Sequence, residues 1–272
     1  MSKYSELDIR KFKELLSKAQ CSTSYKNHIL RELKSIFKHS KTYFSSHNDP
    51  TYVLVPFKKT FDELMFDKNK ENNVWNTNEF NEFVSNVESE QYKALFITLY
   101  MTGIRLGESL ALTWNDFDGE CLDINKSMTR KTEHGRYLIK EPKNISSIRK
   151  IPLGNLVSAY LTELKNKEMN MYGFNETWFI FGRTKPLPEV TINRIKNDAI
   201  KAANLHRIRL HDFRHSHATN LINNGMNIVA VSKRLGHTDI NMTLKVYTHL
   251  LQKTDEEITT FLEKPCQFLA TK

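Results

Sequence analysis

The chain has 272 residues, 39% hydrophobic and 26% charged, enough for two small domains with cores of their own and ordinary for a globular protein. Its formal net charge of +9 points to a polyanionic partner, nucleic acid first and an anionic membrane surface second. No apolar run is long enough to span a bilayer and MSKYSELDIRKF holds no apolar signal core, so a cytoplasmic protein without a membrane partner is expected.

Two helical patterns open the chain. Over 5–19 the apolar residues Ile9, Phe12, Leu15 and Leu16 keep one face, and over 24–44 so do Ile29, Leu33, Ile36, Phe37 and Phe44. On the second helix Arg31, Lys34, Lys38 and Lys41 recur at steps of three and four, away from the apolar face. Alone, such a stripe is a solvated face. Beside the net charge and the motifs downstream, it is expected to contact DNA phosphates. HNDP (47–50) breaks the run, and the charged, poorly periodic KKTFDELMFDKNKENN comes after it. A boundary there gives a helical domain over 1–68 and a second domain over 69–272 that ends in a C-terminal tail.

In the second domain Phe80, Phe83, Val84 and Val87 predict one helix, and YKALFITLYMTG an almost wholly buried one ending at Gly103. Three strand-like runs, CLDINKSM, GRYLIKEP and SIRKIPL, predict a small antiparallel sheet. Helical patterns return over 156–164 and 192–203, with WFIFG between them as a possible short strand. The fold class is mainly α with a small antiparallel β-sheet.

The chemistry-bearing residues begin with Arg105, in TGIRLGE, which starts a short helical segment with Glu108 and Leu110. An arginine near a helix N-terminus opposes the helix dipole, so a bound anion or a carboxylate would account for it. Surface pairing with Glu108 is the plain alternative. HDFRHSHATNLINNG reads as a helix closed by Gly225, in which His211 and Arg214, three apart, can share a site while Phe213, Leu221 and Ile222 pack inward. His211 and His215 have the spacing of a zinc pair. Asp212 stands where the zinc-protease pattern has Glu, however, no third ligand is evident, and Arg214 would repel a dication. No metal is expected, and His215 and His217 are read as structural or phosphate-contacting. Cys21, Cys121 and Cys266 are odd in number and far apart, neither a disulfide framework nor a zinc site. In LGHTDINMTLKVYTHL, Gly236 ends one helix, His237 lies just beyond, Asn241 fits an N-cap, and Tyr247 falls in the second turn of the next helix.

Taken in chain order, Arg105, the H-x-x-R of His211 and Arg214, the LGH around His237, and Tyr247 ten residues later resemble the tyrosine recombinases, or phage-type integrases. The resemblance covers nearly the whole chain and implies a core-binding domain followed by a catalytic domain. It implies that Tyr247 attacks the scissile phosphate to form a 3′-phosphotyrosyl link, and that Arg105 and Arg214 hold the non-bridging oxygens. His211 and His237 would hydrogen-bond the phosphate or help remove the phenolic proton, and Glu108 would orient its neighbours. A hairpin lysine completes such sites. Lys143 in EPKNISSIRKIPL is the best match, although the pair is Lys143-Asn144 where the family commonly has Lys-Thr. Lys126 and Lys140 compete with it.

The chemistry conserves phosphodiester energy, so no cofactor is expected, and no Gly-x-x-x-x-Gly-Lys loop is present. The implied partners are double-stranded attachment-site DNA, further copies forming a tetramer on that DNA, and accessory directionality or bending proteins. Apolar Phe261, Leu262, Phe268 and Leu269 near the end suggest a tail that docks on a neighbouring copy. The chain is expected to start in the core-binding helices, without the arm-binding domain that many integrases carry. A relaxing type IB topoisomerase shares this chemistry, but the compact size and the LGH-to-Tyr segment favour recombination of a mobile element. The rival reading takes NIVAVSKRLGHTDINMTLKVY as the helix-turn-helix of a transcriptional regulator. It leaves Arg105, H-x-x-R and the hairpin lysine without a role.

Overall fold

The computed structural model describes residues 4–43, 49–60, 63, 74–129, 137–141, 147–237, 244 and 259. It divides into two units, Met1–Asn72 and Asn73–Lys272.

The first unit is built on α1 (Glu6–Lys18) and α2 (Thr23–Tyr43), followed by a 3₁₀ turn at Pro50–Val53. Ser5 starts α1 with a capping box: its hydroxyl accepts from the Asp8 N–H at 3.3 Å, and the Asp8 carboxylate accepts from the Ser5 N–H at 2.8 Å. The core is small. Ile9, Leu16, Leu30 and Leu54 are buried, with Ile29, Leu33, Phe37, Val53 and Phe57 packed around them. The predicted apolar faces are therefore too wide. Phe12, Leu15 and Ile36 are exposed, because two helices and a short turn cover only a narrow stripe of each other.

The second unit is organised around α4 (Glu90–Thr102), whose residues from Ala94 to Tyr100 are all buried. It packs against α3 (Thr77–Ser85), α5 (Leu106–Ser109), α6 (Asn155–Met169) and α8 (Asp212–Asn223). α7 (Glu189–Ala202) and α9 (Ile228–Leu235) complete the helices among the described residues. Phe213 of α8 enters an aromatic cluster with Trp75, Phe80, Phe83 and Phe96, beside a stacked Phe80–Tyr100 pair at 3.8 Å. One turn along, Ser216 accepts from the Trp75 N–H at 2.9 Å, and Asn220 donates to the Tyr100 hydroxyl at 2.7 Å. One face of α8 is thus fixed to the core, which leaves the face carrying His211 and Arg214 for other work.

The small antiparallel β-structure expected is present, and among the described residues it forms two ladders. β1 (Cys121–Ile124) pairs with β4 (Arg149–Pro152), in a register that sets Ile124 opposite Arg149. β2 (Ser127–Thr129) pairs with β3 (Leu138–Lys140) within the excursion between them. WFIFG is not a strand: Phe179 makes isolated bridges to Thr113 and Arg183.

Candidate active site

α4 ends at Gly103, whose φ of +67° is the left-handed turn that glycine adopts without strain. A Cβ there would also sit 2.6 Å from Cδ2 of His217, so the turn lies hard against α8. The chain then delivers Arg105 to the N-terminus of α5. Its N–H donates to Glu108 Oε2 at 2.9 Å and its Nη1 to Glu108 Oε1 at 2.7 Å, with the side chain 38% exposed. The pairing with Glu108 is thus present, and the guanidinium still faces outward. Glu108 is buried. Burial pushes its carboxyl up, but hydrogen bonds and charge from Arg149 and Arg105 outweigh this and hold it below the usual range.

Arg214 is buried in α8 and donates Nη1 to the Gly103 carbonyl at 2.8 Å and Nη2 to the Leu235 carbonyl at 2.7 Å. These carbonyls close α4 and α9, where helix ends leave acceptors without intrahelical partners and carry negative dipole character. The arginine thus ties two helix ends together. His211 stands at the N-terminus of α8, its ring edge-to-face with His215 at 4.8 Å. Partial desolvation, then His215 and Arg214, pull its pKa below the usual value although the residue reaches the surface.

α9 ends at Gly236 (φ +69°), and His237 comes directly after it. Burial first, then the charges of Arg214, Arg105 and Arg149, bring the His237 pKa down to about 4. Hydrogen bonds gather these arginines there: Arg214 donates to the Leu235 carbonyl and Arg149 to the Arg234 carbonyl, just before His237, and Arg105 is linked to Arg149 through Glu108. Such a neighbourhood sets imidazoles whose pKa values are lowered beside guanidiniums. It can bind a phosphodiester's oxygens and still offer a nitrogen as proton acceptor.

Other predicted residues fall elsewhere. Lys126 donates to buried Asp116 at 2.5 and 2.7 Å, a structural pairing that anchors the β1–β2 turn. Lys140 is exposed on β3. Arg31, Lys34, Lys38 and Lys41 lie along α2, where Arg31, Lys38 and Lys41 are exposed and Lys34 is half-buried. Lys143, Asn241, Tyr247 and the tail lie outside the described residues. Asp212, beside the histidine pair, is held by Arg209 at 2.9 Å. Among the described residues no three His, Cys, Asp or Glu side chains gather as a metal would require.

Two residues of this neighbourhood, Arg149 and Lys196, carry no clear signal in the sequence, and His217 takes the structural one of its two readings. Arg149 is one strand residue among several in SIRKIPL, yet it reaches Glu108 at 3.0 Å and the Arg234 carbonyl at 2.8 Å. His217 accepts from Arg234 Nε at 3.3 Å. Lys196 of α7 is buried and donates to the Ile208 carbonyl in the segment leading into α8, and burial drives its pKa down. The basic and apolar residues that alternate in SIRKIPL give no sign of which cation turns inward.

A family model described as the phage integrase family matches residues 73–254. The chain is 27% identical over 257 residues to the ICEBs1 integrase of Bacillus subtilis (strain 168), covering 86% of this chain and 70% of that protein. It is 32% identical over 176 residues to the transposase from transposon Tn916 of Enterococcus faecalis, covering 59% of this chain and 42% of the other. In fold it is similar to the Tn1549 transposon integrase in complex with transposon right end DNA, with TM-score 0.68, 22% identity, and coverage of 89% of this chain and 80% of that one. A lambda integrase dimer bound to a COC′ core site shares the fold at TM-score 0.54 and 16% identity, over 89% of this chain and 82% of that one.

Proposed function

The chain belongs to the phage integrase family, and from that premise we infer that it is a site-specific DNA recombinase that integrates or excises a mobile element. It cleaves and rejoins DNA through a tyrosine, with double-stranded DNA as its partner. The helix-turn-helix regulator is not favoured, since the matched region runs from residue 73 to 254 and extends far beyond the α9 segment on which that reading stands.

Tyr247 attacks the scissile phosphorus, releasing a 5′-oxygen and forming the 3′-phosphotyrosyl link. Arg105 and Arg214 hold the non-bridging oxygens, where planar forks match phosphate geometry and stabilise the charge gathering in the transition state. A free phenol, with a pKa of about 10, is a weak nucleophile at neutral pH. His211 or His237, neutral at that pH, accepts its proton or hydrogen-bonds the phosphate. Lys143 protonates the leaving oxygen. Residues 1–68 act as the core-binding domain, with Arg31, Lys34, Lys38 and Lys41 on phosphates, and 69–272 as the catalytic domain. Copies assemble to a tetramer on DNA, where accessory proteins set direction.

The observation that supports this reading most is that Arg214 and the Glu108-linked pair Arg149 and Arg105 are gathered at the α9 terminus beside His237, through the Leu235 and Arg234 carbonyls. The test is incubation with candidate attachment-site duplexes and a denaturing gel. Wild type should give a covalent protein–DNA band, with or without EDTA. Tyr247→Phe should give none while binding DNA within severalfold of wild type. A band that persists in Tyr247→Phe removes that residue from its role, and inhibition by EDTA would revive a metal-dependent nuclease.

A further inference from the structure

We propose that Arg149 is a positioning residue for strand cleavage, holding Arg105 in place through Glu108 and His237 in place through the end of α9. The inference rests on the recombinase reading and adds to it a residue that would not touch DNA.

Arg149 opens β4 with its side chain 9% exposed. Its guanidinium is committed to the protein on every edge. Nη2 donates to Glu108 Oε2 at 3.0 Å and Nη1 to Oε1 at 3.4 Å; Nη1 also donates to the Ser147 carbonyl at 3.0 Å, and Nε to the Arg234 carbonyl at 2.8 Å. The same two Glu108 oxygens receive the backbone N–H and Nη1 of Arg105. One buried carboxylate thus couples the outward arginine to the inward one.

On its other side the guanidinium lies against Gly236. A Cβ built there would meet Arg149 Nη1 at 3.0 Å and Cζ at 3.2 Å. Arg149 therefore covers the left-handed turn from which His237 emerges, and grips the carbonyl two residues before that turn. Its own backbone is fixed by the Ile124–Arg149 pairing of β1 and β4. The result is a rigid brace from the ladder through α5 to the α9 terminus.

Only a planar fork can make this brace. A lysine presents one ammonium on a flexible stem and cannot serve both Glu108 oxygens and the Arg234 carbonyl together. Displacing a catalytic group by about 1 Å can cost on the order of 100-fold in rate, so loosening the brace should appear in the chemical step.

The test uses the full chain and the duplex that gives the covalent band. Single-turnover adduct formation at saturating protein and the DNA Kd are measured for Arg149→Lys, Arg149→Met, Glu108→Gln and the Arg149→Lys/Glu108→Gln double variant. Arg149→Lys should slow adduct formation by about 10- to 100-fold while Kd stays within about threefold and the protein stays folded at the assay temperature, its melting lowered by no more than several degrees. The double variant should be no slower than the slower single, because both break one coupling. Should Arg149→Met fail to fold, the lysine variant carries the result. Cleavage by Arg149→Lys at wild-type rate, losses that multiply in the double variant, or a rate loss matched by the loss in Kd would each overturn the proposal. If wild type itself forms no adduct, the recombinase reading fails and the brace is judged by NMR. The His237 Cε1 resonance should shift in both Arg149→Lys and Glu108→Gln, and an unmoved resonance would overturn it.

Discussion

Arg234 donates its Nε–H to Nε2 of His217 at 3.3 Å, which makes that buried imidazole an acceptor and therefore neutral. Burial and then the Arg234 charge bring its pKa down to about 4. The ring fills the space beside Gly103 and is bonded to Arg234, so it joins α4, α8 and α9 just behind the arginines of the pocket.

His217 makes stability depend on pH. The unfolded chain takes up a proton near the ordinary histidine value of 6.5, whereas the folded chain resists it down to about 4. The unfolded state therefore binds more protons throughout that window, and stability must fall as pH drops from about 6.5 toward 4. Full development would cost on the order of 3 kcal/mol from this residue. Thermal melting between pH 7.5 and 5 should show the decline. The His217 Cε1 resonance should stay flat over the same range, and a midpoint near 6.5 would refute the assignment.

Arg105→Ala and Arg214→Ala should each slow cleavage by at least about two orders of magnitude, the scale for one preorganised charge contact. Their stability effects should differ. Arg105→Ala leaves Glu108 still bonded to Arg149 and should melt close to wild type. Arg214→Ala strips a donor from each of the carbonyls of Gly103 and Leu235, at about 1–3 kcal/mol per buried group left unpaired. Its melting temperature should fall by several degrees. Near wild-type cleavage by either variant would place that arginine outside the chemistry.

Lys143 and Lys126 can be separated by a substrate with a 5′-bridging phosphorothiolate, whose sulfur leaves without a proton. Lys143→Ala should be slow on ordinary DNA and recover on this substrate. Lys126→Ala should lower stability by up to about 3 kcal/mol, since it leaves buried Asp116 without its cation. Sulfur should not restore it. The reverse pattern would move the proton donor to Lys126.

Assembly can be tested through the tail. Deleting residues 265–272 removes Phe268 and Leu269, and should reduce the tetrameric protein–DNA complex while binding to a single site survives. Sizing on DNA measures it, and an undiminished tetramer would assign the tail to its own catalytic domain.

The places of Arg105 and His237 are legible because they sit at fixed offsets from structural punctuation. Gly103 and Gly236 end helices in the left-handed region, so Arg105 and His237 are placed by the turns before them. His211 and Arg214 were legible from helical spacing, and Phe213 between them from its apolar character. Arg149 was not legible. A strand alternates its faces, and only the register against β1, set by contacts distant in sequence, decides which basic residue of SIRKIPL points toward Glu108. Lys126 stayed in competition with Lys143 for a related reason: the buried carboxylate that claims Lys126 lies ten positions back in a 3₁₀ turn. Phe12, Leu15 and Ile36 satisfy a helical period, but periodicity cannot report how little partner surface a two-helix unit offers.

The pairing of β1 with β4 has an evolutionary consequence. Arg149 takes its place from the ladder, in which Ile124 lies opposite it, and the excursion over 125–148 is closed at both ends by that pairing. Lengthening such a closed loop is thermodynamically mild, about 0.6 kcal/mol for each doubling. Insertions around Lys143 can therefore accumulate without shifting the arginine brace by a single register position. Changes of length between the two strands would thus leave the contacts of Arg149 with Glu108 and the α9 terminus where they are.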